Sequence, residues 1–139
     1  MKFKKIKDTY IIRLERDEKI IESLNRFLED KSIKNGFFIG LGALSKVELA
    51  LYRLEDKEYF FKNFEEALEI SSLHGNIFLK ENKPFIHAHI VVSDKNMETK
   101  GGHLKEAIVG ATCEIILFTI NNKIRRMYSE EIGLWLLGI

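Results

Sequence analysis

Only one long stretch of this chain carries its apolar residues at helical spacing, and that limits the folds open to it. Ile20, Ile21, Leu24, Phe27 and Leu28 fall on one stripe of a helix. Asp17 stands where an N-cap belongs, Asn35-Gly36 where the helix must stop, and Lys31 and Lys34 near the negative end of its dipole. With a single main helix, most of the core has to come from a sheet. The other apolar segments are short and divided by turn residues, which argues for antiparallel pairing.

Tyr10 to Leu14 reads as a short strand. From Phe37 the apolar run is interrupted by Gly40 and Gly42. That pair lacks the third glycine of a dinucleotide loop and no helical pattern follows it, so a strand bend or bulge is expected there. Val47 to Tyr52 alternates as a half-buried strand, Tyr59 to Phe61 and Ala67 to Leu79 follow, and Lys80 to Pro84 turns into a strand beginning at Phe85. Leu104 to Val109 has the spacing of one or two helical turns. Thr112 to Ile120 reads as a buried strand ending at Asn121-Asn122-Lys123, with Ile124 to Tyr128 returning beside it as a hairpin. The tail, Leu134-Trp135-Leu136-Leu137, is too apolar to stand in water and must dock on the core or on another subunit. The expectation is an α+β domain with about seven strands in a largely antiparallel sheet and one main helix, residues 1–139 forming one domain.

Chemistry concentrates between Phe85 and Leu104, which hold three of the four histidines. A strand sends alternate side chains to opposite faces, so His87 and His89 share a face about 6–7 Å apart at their Cα atoms. The run from Ser93 to Lys100 is turn-like and can fold back to bring His103 beside them, Gly101-Gly102 allowing close backbone approach. Three neutral imidazoles with an open fourth position suit zinc, and imidazole also suits nickel, copper and iron. A structural pair, each ring donating to a carbonyl, remains the alternative. Cys113 lies too far along, in an expected strand, to be counted as a ligand.

Charge narrows the partners. Lysine and arginine number 22 against 21 acids, a formal +1 that does not predict generic affinity for phosphates. Lys2, Lys4, Lys5 and Lys7 form one small basic cluster and Arg125-Arg126 another, each expected to be a solvated face. A single cysteine excludes an internal disulfide, and the N-terminus lacks the apolar run of a signal peptide. No segment approaches the roughly 20 apolar residues of a membrane span. A cytoplasmic protein is expected.

Several phrases, in order, resemble the PPC domain of plants and prokaryotes. They are Tyr10-Ile-Ile-Arg13-Leu; Gly40-Leu-Gly42-Ala43-Leu44; Leu68-Glu69-Ile70-Ser71-Ser72-Leu73-His74-Gly75-Asn76-Ile77; Pro84-Phe-Ile-His87-Ala-His89; and Gly101-Gly102-His103-Leu104 with Val109-Gly-Ala-Thr112-Cys-Glu114 behind it. The resemblance spans nearly the whole chain. It implies an α+β subunit with one antiparallel sheet, a homotrimer, and the histidine set usual in prokaryotic members. The phrase from Glu69-Ile70 to Leu73 is linked with protein-partner binding in plant members. Prokaryotic single-domain members are described as predicted DNA-binding proteins by analogy with plant proteins that carry AT-hooks. This chain has no Arg-Gly-Arg-Pro core, so the analogy speaks to fold more than to site.

Two functions follow as expectations. In the first, a homotrimer has a DNA-associated or regulatory role and His87, His89 and His103 hold zinc or another divalent transition metal, with weak DNA binding. In the second, the same cluster is the centre of a small hydrolase-like enzyme using metal-activated water, with Glu69 or Glu114 as a candidate base.

Overall fold

The computed structural model describes residues 1–139. It contains strands β1 (Lys2–Ile6) and β2 (Thr9–Glu15), helix α1 (Ile20–Asp30), and strands β3 (Gly36–Arg53), β4 (Glu58–Phe64), β5 (Leu68–Lys80), β6 (Lys83–Ser93), β7 (Thr99–Thr119), β8 (Arg126–Ser129) and β9 (Leu134–Leu137). Seven strands form an antiparallel sheet in the order β1-β2-β7-β6-β5-β3-β4, and the fold is α+β with one helix. The long strands β3 and β7 also pair with each other, so the ladder β7-β6-β5-β3 closes on itself. No helix is long and apolar enough to cross a membrane.

Glycine makes the closure possible. At Gly42 the backbone has φ +149°, and a Cβ would lie 2.2 Å from the carbonyl oxygen of Thr112. The register of β3 shifts there against both β5 and β7, so the expected bulge is present. It bends β3 so that one end pairs with β5 and the other with β4.

One cluster of 26 buried side chains forms the core. The stripe read from the sequence supplies Ile20, Leu24, Phe27 and Leu28 from α1. The Phe27 ring packs edge-on against Tyr10 and Phe3, each at 5.1 Å between centroids. Under the helix lie alternating residues of the strands, among them Ile12 and Leu14 of β2 and Cys113, Ile115 and Leu117 of β7.

Four expectations are corrected. Asp17 does not cap α1: it lies in a turn with φ 68°, and the cap position is Lys19, whose side chain makes no capping hydrogen bond. The helix is capped from another strand, since the N–H groups of Ile21 and Glu22 donate to the Glu106 carboxylate at 2.8 and 3.1 Å. Leu104 to Val109 is not helical but part of β7. A bulge against β3, between the pairs Glu48–Glu106 and Leu49–Leu104, leaves Lys105 unmatched and puts the inward residues Leu104 and Ala107 three positions apart, imitating a helix. Ile124 to Tyr128 does not return along β7, because β2 and β3 already occupy both edges there. Instead β8 pairs with β9 in a separate two-stranded sheet, so the tail docks on its own chain. Finally, Lys2–Ile6 is a strand where none was read. Its lysines suit an outer edge, where charge discourages pairing with another chain.

Candidate metal and ligand site

β6 buries Ile86, Ala88 and Ile90 and turns His87 and His89 to its other face. A tight turn follows, organised by Asp94, whose carboxylate accepts from the backbone N–H of Asn96 at 2.9 Å, that of Glu98 at 3.1 Å and the Lys100 ammonium at 2.5 Å. These bonds hold the Asp94 carboxyl below its ordinary pKa, Lys100 contributing most. The turn places His103 directly opposite His89 in the ladder. Gly102 lets β7 pass close to β3, since a Cβ there would sit 2.9 Å from the Ala50 carbonyl oxygen.

His87, His89 and His103 thus converge. One ring nitrogen from each lies within 4.8 Å of the other two, and the ring centroids are 5.1 to 5.7 Å apart. His74 stands outside the group, exposed, its ring 6.4 Å from that of His89. Burial lowers the pKa of all three clustered rings. His87 falls to about 4, with further contributions from His103, Arg126 and His89; His74 adds to the effect at His89, and His89 and Lys105 add to it at His103. All three are therefore neutral near pH 7, the form in which imidazole binds a metal. The Nδ1 atom of His103 is buried with no hydrogen-bond partner in the protein. Three neutral imidazoles, one with an orphaned nitrogen, fit the donor set of a divalent transition ion.

Beyond the His89–His103 pair the two strands separate, and a cavity of about 830 Å³ opens between them. His87 and His103 line it on one side, α1 contributes Ile21 and Glu29, and the β8–β9 hairpin contributes Arg126 and Trp135. The hairpin is tied over the site by the Tyr52 hydroxyl, which donates to the Ile132 carbonyl at 2.6 Å. Tyr59 stacks obliquely on His103 at 5.3 Å, and burial raises the pKa of its hydroxyl.

Two sequence expectations about this region change. Glu69 and Glu114 are exposed and neither lines the cavity, so neither is placed as its base. Arg126 is no solvated face: it is 8% exposed and lines the cavity. The signal in the sequence was weak, an arginine opening a short strand whose other residues are Met127, Tyr128 and Ser129.

The geometry is that of a small antiparallel α+β protein with a histidine cluster beside a ligand-sized cavity. The sequence profile of the Plants and Prokaryotes Conserved (PCC) domain, the PPC domain named above, matches residues 1–121. The chain belongs to that family. Among solved structures it is similar to a protein of Bacteroides thetaiotaomicron VPI-5482 described as a candidate DNA-binding protein, with 32% identity and TM-score 0.95, covering 98% of this chain and 95% of that one. It is likewise similar to a metal-containing protein of Archaeoglobus fulgidus, with 33% identity and TM-score 0.88, covering 99% of both chains. A curated relative, the bifunctional protein GlmU of Synechococcus sp. strain JA-3-3Ab, is 31% identical over 111 residues. The matched region is 78% of this chain and spans only 16% of that relative's length.

Proposed function

We propose that this is a metal-binding regulatory protein that works in the cytoplasm as a homotrimer of single-domain subunits, with His87, His89 and His103 ligating zinc. The observation that carries the reading is the convergence of three neutral imidazoles within 4.8 Å. The metal-containing relative from Archaeoglobus supports it. Elemental analysis of protein purified without a histidine tag is expected to find one zinc, or one other divalent transition ion, per chain; protein free of metal after incubation with zinc would refute the reading.

The trimer has its own support. On the outer face of β2, β7 and β3, Ile11, Ile116, Ile39 and Phe37 are exposed side by side, and Leu41 extends the patch. A surface of that kind is ordinarily covered. Light scattering is expected to give three times the chain mass of 16.2 kDa.

The regulatory role rests on the family and on the Bacteroides relative. DNA affinity should be weak at physiological salt, near the non-specific range of about 10⁻⁴–10⁻⁶ M, because the net charge is +1 per chain. Neutralising Lys2, Lys4, Lys5 and Lys7 should abolish it, and sequence-selective nanomolar binding in a fluorescence titration would contradict this picture.

The cavity favours a second reading, catalysis. A zinc ion, if held by His87, His89 and His103, would supply Lewis acidity. The chain's own residues would bind and orient a small substrate between α1 and the β8–β9 hairpin, with Tyr59 protonated and able to donate a hydrogen bond.

A further inference from the structure

Arg126 is a buried cation without a counter-charge. Its Nη1 donates to the Trp135 carbonyl at 2.8 Å and its Nη2 to Asn76 Oδ1 at 2.6 Å. Nε has no partner at all, and none of the protein's ion pairs includes this residue. A guanidinium has five N–H donors, so the protein leaves most of this one unsatisfied. Leaving such a charge buried and unpaired is expensive. Its position is well defined. Asn76 lies opposite His87 in the β5–β6 ladder, so the bond to Asn76 holds the guanidinium beside the histidine cluster. The Phe85 ring, 5.3 Å from Cζ, supports it from another side.

The rest of the lining agrees in sign. Arg126, Lys80, Lys83 and Lys105 face the cavity with a single carboxylate, that of Glu29. The other walls are largely apolar, with Phe61, Phe85, Leu134, Trp135 and Leu136 prominent. A volume of about 830 Å³ lies in the range of small-molecule sites.

We propose that Arg126 is the anion-recognition group of this cavity and that the ligand is a small organic carboxylate with an apolar body. Nη1 and Nη2 each spend one N–H on the protein, and the N–H donors left over on this planar fork are the kind a carboxylate takes with two parallel hydrogen bonds. The hydrocarbon part then lies against Phe85, Leu136 and Trp135. The proposal names the ligand class of the cavity beside the histidines. It rests on the metal reading only for a second anchor, since a zinc ion there would draw the same anion.

Trp135 is the chain's one tryptophan and lines the cavity, so its fluorescence reports occupancy. The full chain is titrated, metal-free and zinc-loaded, with benzoate, with its neutral analogue benzamide, and with inorganic phosphate. Benzoate is expected to change Trp135 emission saturably and to bind at least about tenfold more tightly than benzamide in both forms. Arg126→Lys, which keeps the charge but loses the planar fork, is expected to weaken benzoate by about tenfold while zinc content stays unchanged. If that variant does not fold, the Arg126 Nε–H signal of the unmodified protein replaces it, and that signal should shift on adding benzoate and stay still with benzamide. Equal affinity for benzoate and benzamide, an unaffected variant, or an unmoved Nε–H signal overturns the proposal, and tighter binding of phosphate overturns the carboxylate assignment. Benzoate preference in a chain that takes up no zinc upholds this inference while refuting the metal reading. Zinc uptake without benzoate binding does the reverse.

Discussion

The two sides of the closed ladder are built on opposite rules. Beneath α1 the side chains are apolar and fully buried, and the helix's own loose N–H groups are met by Glu106. Across β6 and β7, around the cavity, polar groups are buried and left without protein partners. Three buried side-chain atoms in the whole chain lack a hydrogen-bond partner, and two of them, His103 Nδ1 and Arg126 Nε, belong to residues lining this one cavity. The third, Asn35 Oδ1, lies elsewhere, so the cavity gathers two of the three, the kind of group that a bound ligand or ion would partner. The core side provides stability, and the cavity side uses it to hold unsatisfied groups in place.

That contrast can be broken at either end. The largest effect is expected from Phe27→Ala, which removes a fully buried ring in contact with Tyr10 and Phe3 and should cost about 3–5 kcal/mol in chemical denaturation. A loss below about 1 kcal/mol would mean that the core is not what holds the site. His103→Ala should act the other way. It should lower zinc affinity by more than the ten- to hundredfold typical of losing a supporting contact to a ligand, while metal-free stability changes little. Isothermal titration paired with denaturation separates the two outcomes.

Acid sharpens the comparison further. The folded pKa of His87 is depressed to about 4 from 6.5, so the unfolded chain binds its proton more readily. The stability linked to this ring is complete above pH 6.5 and is lost as pH falls toward 4. Metal-free denaturation midpoints should drop over that window, and His87→Gln should flatten the drop. An unchanged slope in the variant would show that His87 is not the group responsible. The smallest change is expected at the helix end: Glu106→Gln keeps a neutral acceptor and should cost about 1 kcal/mol or less, measured in the same way.

Local signals in the chain spoke clearly. The helical stripe, the bulge at Gly40 and Gly42, and the His87–His89 pair each depend on neighbours in sequence, and each was readable from period or residue type. What could not be read depended on distant partners. Glu106 caps a helix 84 residues away from Glu22, so nothing near Asp17 revealed that the cap was already supplied. The inward spacing from Leu104 to Ala107 matched a helix because a bulge mimics one. Ile124 to Tyr128 had the look of a hairpin arm, but the edge it needed was taken by β2 and β3, a fact of topology. Arg126 was read as surface for the same reason: only the assembled hairpin encloses it.

The central claim is that His87, His89 and His103 form one metal centre from which His74 is excluded. Histidine ring ¹⁵N NMR during a zinc titration tests it most directly, because each ring is followed separately in the unaltered protein. The account predicts that three of the four rings shift together and saturate at one zinc per chain, while the His74 ring, outside the cluster and near Ser72, stays unmoved. Shifts confined to His74, or a titration that leaves all four rings unchanged, would contradict it.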